Sequence, residues 1–350
     1  MEGLILHKRF LEIDLNDPFF DSLKEDYPGF EEWFNRKSGE KAYVLYNQES
    51  KLDAFLYLKI EQGPIHDVNP PLLNKHLMKI GTFKINPHGT RLGERFIKKA
   101  LDSAVYENVE GIYVTAFPKH DVLIELFLKY GFIKSAEKES SSGTELVFWK
   151  TLKEFKSNVL LDYPRLSQRG KGKYLLSIFP EFHTRLFPDS ILRNERFDAI
   201  EDVSHTNSIH KVFISSAPVS RLQSEDIIII YRTSDGVGPA KYRSVATSIC
   251  VVEALKSKSE FKDQEEFVDY CRKFSVYSVD ELKDLYEKKK RLYVIKMTYN
   301  VALRKRVTRE RLINEVGIDP SDRWTFIEIT DNQFDTILMA GDSHESLVVD

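Results

Sequence analysis

The 350-residue chain is 42% hydrophobic and 12% aromatic, which is enough apolar material for two cores of ordinary size. Its 30% charged residues indicate a water-soluble surface, and these fractions together exclude a disordered or collagen-like chain. The net charge of -3, from 51 basic and 54 acidic residues, excludes a protein that is basic throughout.

Membrane insertion, disulfide bonding and metal binding are not expected. The longest aliphatic run is Ile227 to Ile230, far short of the roughly 20 apolar residues that cross a bilayer. The N-terminal residues lack the apolar core of a secretory signal, which predicts a cytoplasmic protein. Cys250 and Cys271 are too few for a disulfide framework and lack metal-ligand spacing, so both are predicted to be reduced and no metal is expected.

Strand and helix patterns alternate through residues 1–150. Strands are predicted for Ala42–Tyr46, Ala54–Leu58, His76–Ile85 and Ile112–Thr115. Helices are predicted for Glu94–Val105 and Asp121–Tyr130, where apolar residues recur at helical spacing, and Gly131 follows as a left-handed cap. This order predicts an α/β layer.

A second domain is predicted after a change of character near Arg165–Lys173, where glycines and basic residues gather without acidic ones. We therefore predict domains at 1–150 and 174–340, joined by a linker at 151–173 and followed by a tail at 341–350. Ser278 and Glu281 form a capping-box pattern at the start of a helix. Strands that surround a helical pair predict a small mixed barrel, and the candidates are Tyr174–Ile178, Lys211–Ser215, Asp226–Tyr231, Val245–Val252, Leu292–Met297 and Trp324–Ile329.

The segment Phe83–Glu94 runs from a strand through a glycine-containing turn into an amphipathic helix. Such a junction directs unpaired N–H groups and the positive end of a helix dipole at one spot, which suits a pyrophosphate. The alternative is an ordinary strand-to-helix turn in which Gly and Pro act as breakers.

This stretch resembles the core of the GNAT family of acyl-CoA-dependent N-acetyltransferases. Phe83, Ile85 and Pro87 match the apolar-x-apolar-x-Pro end of the family's fourth strand, and Gly93 matches the last position of its phosphate loop. Ile112–Thr115 matches the fifth strand. The resemblance covers about residues 1–150 and implies acetyl-CoA as a co-substrate, with candidate contacts at Phe83, Ile85, His88, Gly89, Thr90, Arg91, Leu92, Gly93, Glu94 and His120.

The chain departs from the family's pattern at several of these positions. His88 and Arg91 stand where the family's loop usually has Gln or Arg and then Gly. His120 corresponds to a frequent CoA-contacting asparagine and keeps hydrogen-bonding capacity. The family's proton-donating tyrosine, five residues before the Phe of its Gly-Phe motif, corresponds to Phe127, which has no proton to donate.

Acetyl transfer needs an amine that has lost a proton, a polarised thioester carbonyl and a stabilised thiolate. The resemblance implies that backbone N–H groups of a splayed fourth strand polarise the carbonyl. No Asp or Glu occurs between Lys75 and Pro87, so the sequence shows no obvious base. The candidates are Tyr57, Glu61, Tyr130 and His88, which have the alternative roles of sheet residue, solvated strand end, core filler and loop surface residue.

One stretch is strongly basic: Lys288–Arg311 holds ten basic residues and one acidic residue, Glu310. Phosphate contacts are predicted for Arg304, Lys305, Arg306 and Arg309, and a solubilising face is the alternative. In the same half, His205 and His210 are predicted to lie at the surface, while Trp324 is predicted to be a core residue.

Residues 174–340 resemble the PUA-like superfamily, particularly its ASCH-type members, which implies a small barrel that binds RNA or modified nucleotides. The Gly-x-Lys-x-x-Glu-x-Arg pattern of many ASCH domains is only approximated, by Pro188–Ser190 and Glu195–Arg196. The segments that carry the resemblance are Leu176–Pro180, Val212–Ser216, Val245–Glu253 and Val301–Val307.

The two resemblances together imply an α/β (α+β) chain in which a GNAT mixed sheet flanked by helices precedes a PUA-like mixed barrel. The expected function is acetyl transfer from acetyl-CoA to an amine, with a C-terminal domain that binds RNA, tRNA or a nucleotide. The alternative, favoured by Phe127 and the absent base, is a non-catalytic CoA-binding regulatory module fused to an RNA-binding domain. The sequence does not identify the acceptor amine, the acyl chain length or the oligomeric state.

Overall fold

The computed structural model describes residues 5–86, 92–187, 208–343 and 347–349. The chain divides into two compact units, Met1–Asp162 and Tyr163–Asp350, here called unit 1 and unit 2. Within the described ranges, no helix combines the length and the apolar character that crossing a membrane requires. The division falls inside the segment 151–173, for which the sequence predicts a linker.

Unit 1 contains every strand and helix that the sequence predicts for the first half, each within a few residues, together with further elements. Its strands are β1 (Leu6–Arg9), β2 (Lys41–Tyr46), β3 (Leu52–Gln62), β4 (His76–Ile85), β5 (Gly111–Ala116), β6 (Ile133–Ser140) and β7 (Gly143–Thr151). Its helices are α1 (Asp21–Asp26), α2 (Phe30–Arg36), α3 (Leu92–Tyr106) and α4 (Asp121–Lys129).

The strands of unit 1 form one mixed sheet in the order β1-β2-β3-β4-β5-β7-β6. β4 and β5 are parallel, and every other neighbouring pair is antiparallel. A parallel pair needs a crossover connection, and α3 lies in that connection. The predicted fold class, a mixed sheet flanked by helices, is confirmed for this half.

Apolar side chains cover both faces of this sheet because successive strand residues point to opposite sides. Phe55 packs into an aromatic cluster with Phe20 at the start of α1. Phe83, which pairs with Leu56, packs instead on Phe96 of α3, with ring centroids 6.5 Å apart. Full burial of a phenylalanine such as Phe55 contributes about 1.5–3 kcal/mol and the half-buried Phe83 contributes less, so apolar packing on both faces stabilises the sheet.

Unit 2 has its own strands and helices. The predicted capping box is confirmed: Glu281 N donates to Ser278 Oγ at 3.1 Å, and Ser278 N donates to Glu281 Oε2 at 2.7 Å. The strands are β8 (Leu166–Ser167), β9 (Lys173–Ile178), β10 (His210–Ser215), β11 (Ile227–Arg232), β12 (Val245–Ser257), β13 (Tyr293–Thr308), β14 (Phe326–Glu328) and β15 (Val348–Val349). The helices are α5 (Pro180–Leu186), α6 (Ala240–Arg243), α7 (Gln264–Arg272), α8 (Val279–Lys288), α9 (Arg309–Asn314) and α10 (Asp331–Ala340).

The main sheet of unit 2 has the order β10-β13-β12-β11-β9-β14, with β9 and β11 parallel. The long pair β12 and β13 carries several register shifts, which bend and twist the strands. This second mixed sheet with helices confirms the predicted fold class. In the part of the chain that is described, β10 and β14 stand at the two ends of this strand order.

The predicted linker and tail both contain ordered structure. Backbone N–H groups of Lys156 and Asn158 donate to the Asp162 carboxylate, each at 2.7 Å. Leu166–Ser167 pairs in parallel with Val348–Val349, which brings the tail alongside the beginning of unit 2. These described residues of the predicted linker and tail therefore belong to the folded units.

Candidate functional site

The sheet of unit 1 opens between its two parallel strands. β4 pairs with β5 only from Leu77 to Ile80, although β4 continues to Ile85. Thr115 and Ala116 of β5 have no partner in β4 and pair only with β7, which follows the other side of β5 along its whole length. Among the described residues, Gly81–Ile85 therefore has a strand partner on its β3 side alone. We call the opening between Gly81–Ile85 and Thr115–Ala116 the strand gap, and it matches the splayed fourth strand that the GNAT resemblance implies.

A β-bulge lies where the strand gap begins. The register between β3 and β4 shifts between Tyr57 and Leu58, with Gly81 as the additional residue of β4. A Cβ atom at Gly81 would lie 2.6 Å from Cδ1 of Tyr57, so glycine is what allows this ring to pack against the strand. Bulges bend the strand that contains them, which accounts for the departure of β4 from β5 at this point.

Helix α3 begins near the carboxyl end of β4. Its first described turn consists of Leu92, Gly93 and Glu94. The Glu94 carboxylate pairs with Lys129 Nζ at 2.7 Å. A Cβ atom at Gly93 would lie 2.9 Å from Cδ2 of Leu126, so this glycine permits close packing of α3 on α4. The predicted contacts His88, Gly89, Thr90 and Arg91 lie outside the described residues.

The predicted contacts Phe83 and Ile85 are half-buried on the end of β4. Phe83 packs on Phe127, with ring centroids 5.6 Å apart, and Phe127 packs on Phe132 at 5.1 Å. Phe127 is fully buried, so position 127 fills the core between α4 and the sheet. Contact of Phe83 and Ile85 with CoA stays a prediction.

Helix α1 crosses the strand gap on the sheet face opposite α3. Ser22 of α1 accepts a hydrogen bond from Lys84 Nζ of β4. At the other end of α1, the Asp26 carboxylate pairs with Lys119 and lies 3.3 Å from Nε2 of His120. His120, predicted to contact CoA, therefore ties the start of α4 to α1. The helix is anchored on both sides of the gap.

A buried carboxylate that the sequence analysis missed lies beside this gap. Glu145 of β7 is only 5% exposed, and its Oε1 accepts hydrogen bonds from Tyr27 Oη at 2.8 Å and Thr115 Oγ1 at 3.0 Å. Burial, and then the Glu145 charge, raises the pKa of Tyr27 well above its usual range. The one available sequence signal is spacing: Glu145 is two residues before buried Val147, on the inward face of a strand.

The predicted catalytic candidates occupy three separate places. Tyr57 lies at the bulge and donates to Glu40, and burial followed by this hydrogen bond raises its pKa. Tyr130 is fully buried at the end of α4. Glu61 pairs with Leu77, where β4 and β5 are still joined. A catalytic role for each of the three stays a prediction.

The hydrogen bonds of Glu61 indicate that it is ionised. Burial opposes its charge, but hydrogen bonds from Lys59 Nζ at 2.8 Å and from the Tyr113 hydroxyl outweigh burial and lower the Glu61 pKa. Glu61 pairs with Leu77 and so lies about 13 Å along the sheet from Gly81, since the four steps from Leu77 to Gly81 each add about 3.3 Å. It is therefore remote from the open part of the gap.

The predicted phosphate-binding residues of unit 2 differ in what they contact. Arg304 and Lys305 are exposed, and Lys305 Nζ lies 3.5 Å from the Asp342 carboxylate. The Arg306 guanidinium is half-buried and donates to the Leu303 and Thr247 carbonyls. Arg309 lies over the indole ring of Trp324, 4.3 Å from its centroid.

Trp324 is half-exposed, although the sequence predicts a core residue. Its ring contacts the Arg309 guanidinium and also the buried ring of Tyr231, whose centroid is 5.3 Å away and whose plane is tilted by 46°. Trp324 Nε1 has no hydrogen-bond partner within the described ranges. The pair of Arg309 and Trp324, here called the Arg–Trp pair, places a cation on an aromatic ring beside the end of β13.

The prediction of a surface position for His210 is wrong, and His205 lies outside the described residues. His210 begins β10 and is buried, where its Nδ1 contacts the Glu253 carboxylate. Glu253 also pairs with Lys296 Nζ at 2.8 Å. Because the Glu253 carboxylate contacts its ring, His210 can be buried in the sheet. Its polar neighbours in the sequence indicate a surface loop.

No family model matches the sequence, and no curated protein matches it. Among solved structures, ASCH from Zymomonas mobilis is 12% identical with a TM-score of 0.33, over 48% of this chain and 94% of that one. Naa20 of Chaetomium thermophilum, in complex with a bisubstrate analogue, is 17% identical with a TM-score of 0.33, over 43% and 86%. NAA60 of Arabidopsis thaliana, in complex with a bisubstrate analogue, is 14% identical with a TM-score of 0.32, over 42% and 98%. Each of these similarities covers less than half of this chain.

Proposed function

We propose that unit 1 binds acetyl-CoA in the strand gap and transfers its acetyl group to an amine. The observation that carries this proposal is the separation of β4 from β5 after Ile80, which leaves the edge of Gly81–Ile85 open. An open strand edge offers N–H and C=O groups to an extended ligand, such as the amide-containing arm of CoA. The start of α3 supplies N–H groups and a positive dipole end for the pyrophosphate.

Backbone groups suffice for two parts of this reaction. N–H groups of the open β4 edge polarise the thioester carbonyl and stabilise the oxyanion that forms on attack. The thiolate leaves without a tyrosine acid at position 127, because that residue is a buried phenylalanine. In this proposal the thiolate takes its proton from water.

The alternative function is a non-catalytic CoA-binding module fused to an RNA-binding unit. Phe127 favours it, because a buried phenylalanine provides no proton donor at that position. The two functions share the binding site and differ in turnover. Incubating the full-length protein with acetyl-CoA and spermidine, lysine amide, tryptamine or a peptide with a free N-terminus, and measuring free thiol, tests them. Release of thiol that depends on an amine supports the enzyme, and binding without release supports the module.

Acetyl-CoA is expected to stabilise unit 1 against unfolding by about 2.7 kcal/mol at 100 times its dissociation constant. At the same concentration, CoA is expected to give a similar stabilisation. Pantetheine is expected to give a smaller one, because it lacks the pyrophosphate proposed to bind at α3 and so binds more weakly. The chain contains three tryptophans. In protein labelled with 5-fluorotryptophan, fluorine NMR during urea unfolding follows unit 1 through the signals of Trp33 and Trp149 and unit 2 through the signal of Trp324. No shift of the unit 1 signals with either acetyl-CoA or CoA would contradict the proposed site.

We also propose that unit 2 binds RNA or a nucleotide at the Arg–Trp pair and the exposed Arg304 and Lys305. An indole ring can stack on bases, and the Arg309 guanidinium, 4.3 Å from the centroid of the Trp324 ring, carries N–H donors that suit a phosphate or a base edge. Exposed cations nearby contribute sequence-independent attraction to phosphates. Arg306 makes a smaller contribution because its guanidinium donates to two carbonyls.

Binding of tRNA by the full-length protein is expected to weaken with salt, with a slope of log affinity against log salt near -2 to -3. This follows from three phosphate contacts, by Arg304, Lys305 and Arg309, at about 0.7–0.9 each. Arg309→Ala should reduce the magnitude of the slope by about 0.7–0.9, the share of one phosphate contact. Trp324→Ala should weaken binding by about 1–3 kcal/mol. Arg311→Ala is the matched control, since Arg311 is paired with Glu315 at 2.7 Å and should leave the slope unchanged. A salt-independent interaction, or an Arg309 variant that behaves like the Arg311 variant, would contradict the site.

A further inference from the structure

The buried carboxylate of Glu145 has an unusual setting for a purely structural residue. Both hydroxyl donors, from Tyr27 and Thr115, contact the same oxygen, Oε1. Among the described residues, Oε2 has no hydrogen bond. The two donors hold Oε1 and so fix the orientation of the carboxylate. Oε2 keeps its capacity to accept a hydrogen bond from a substrate.

This carboxylate lies at the strand gap, on the sheet face that α1 crosses. Thr115 belongs to the part of β5 that has separated from β4, and Tyr27 follows the last residue of α1. The Tyr27 ring also packs on Phe117, with centroids 5.2 Å apart, just beyond the end of β5. Glu145 therefore lies on the face opposite α3, the side from which a second substrate would approach acetyl-CoA in the gap.

Carboxylates surround this side of the gap. Asp21, Glu25 and Asp26 of α1 all act on the charge of Lys84, which lies on the open edge of β4. Among the described residues, these and Glu145 make four carboxylates, against Lys84, Lys119 and the His120 ring that lies 3.3 Å from Asp26, while Lys24 pairs with Glu31 at 2.8 Å. Such a field concentrates cations and repels anions.

We infer that Glu145, held by Tyr27 and Thr115, is the acceptor-amine site, and that the acceptor is a primary amine with further positive charge, such as a polyamine. This inference rests on the proposed acetyl transfer. An ammonium group donates to Oε2 of Glu145, and the carboxylates of α1 attract the remaining charge of the acceptor.

Glu145 acts as the general base in the step that follows. The ammonium transfers one proton to the carboxylate, and the nitrogen lone pair forms a bond to the thioester carbon of acetyl-CoA. The C–S bond then breaks, with its electron pair on the sulfur of CoA. A second proton leaves the nitrogen as the amide forms and neutralises the thiolate by way of water, and Glu145 releases its proton to solvent. The products are the N-acetyl amine, CoA and one proton.

Glu145→Gln is the decisive variant because its amide oxygen still accepts from both hydroxyls while the base is lost. We expect kcat/KM for spermidine to fall by about 10²–10⁴-fold, with acetyl-CoA binding retained. Glu139→Gln is the matched control: Glu139 is an exposed glutamate of the same hairpin, bonded to Thr144 Oγ1 at 2.9 Å. It should keep the wild-type rate. Tyr27→Phe removes one hydroxyl and keeps the base, so its loss should be smaller than that of Glu145→Gln.

The possible results distinguish failure of the Glu145 amine site from failure of the proposed acetyl transfer. If the wild type acetylates spermidine and Glu145→Gln remains within threefold of it, the amine site is wrong and acetyl transfer stands. If the wild type acetylates tryptamine, which has no charge beyond its one ammonium, better than spermidine, the preference for an acceptor with further positive charge is wrong. If the protein binds acetyl-CoA but acetylates none of the four amines, the transferase proposal fails and this inference fails with it. A selective loss in Glu145→Gln with an unchanged KM for acetyl-CoA supports both.

Discussion

Gly131→Ala is expected to destabilise unit 1 by about 2–5 kcal/mol. Gly131 has φ of +84°, a left-handed conformation that costs an L-residue with a side chain about 1–2 kcal/mol. A Cβ atom there would also overlap the Leu161 carbonyl oxygen and lie 2.9 Å from Lys150 Nζ. Lys150 Nζ donates to this carbonyl at 2.5 Å, so the methyl group would intrude on a buried hydrogen bond and add about 1–3 kcal/mol.

Gly29→Ala is the matched control for this prediction. Gly29 has φ of +91°, but a Cβ atom at Gly29 would meet nothing within 4 Å. It should therefore show the backbone cost alone, about 1–2 kcal/mol. Urea unfolding followed at the fluorotryptophan signals of Trp33 and Trp149 measures both variants. Equal losses for the two variants would mean that the contact with Leu161 adds nothing.

Patterns of residues close together in the sequence correctly predicted several helices and their ends. The helical spacing of apolar residues predicts α3 and α4, the glycine after α4 predicts its left-handed cap, and Ser278 with Glu281 predicts the start of α8. Each of these depends on residues only a few positions apart, so the sequence alone contains the whole interaction. Capping and amphipathic packing are short-range in this sense.

Long-range pairs escaped the sequence analysis for the opposite reason. Tyr27 and Glu145 are 118 positions apart, and no pattern around either residue indicates the other. His210 is buried because Glu253, 43 positions away, supplies the carboxylate that its ring contacts. These contacts depend on strand order and register, which a single sequence does not specify.

Charge counting also failed to separate exposed cations from cations engaged inside the fold. Arg304 and Arg306 belong to one basic run, yet the first is exposed and the second donates to backbone carbonyls. Strand alternation would place these two residues, two positions apart, on the same face, so the difference comes from the irregular path of β13, whose pairing with β12 shifts register between Ala246 and Ser248. A basic stretch therefore overstates the number of phosphate contacts that it can make.

Acidification is expected to destabilise unit 2 through His183. This histidine is fully buried, and its Nε2 lies 2.8 Å from Thr247 Oγ1 while Nδ1 has no partner among the described residues. Burial, and then the charges of Arg232 and Arg306, lower the pKa of His183 from 6.5 to about 3. The ring is therefore neutral in the folded protein at pH 7.

The sign of the effect follows from proton binding. Below pH 6.5 the unfolded chain takes up a proton at this residue and the folded chain does not, so stability falls as the pH falls toward 3. The slope approaches about 1.4 kcal/mol per pH unit, and the loss from pH 7 to pH 4.5 amounts to about 2.5 kcal/mol. His183→Gln keeps a polar partner for Thr247 without titrating, so its stability should fall less over the same range. Urea unfolding at each pH, followed at the Trp324 fluorine signal, compares the two proteins. Parallel pH profiles for the wild type and this variant would show that His183 does not titrate between the folded and unfolded states.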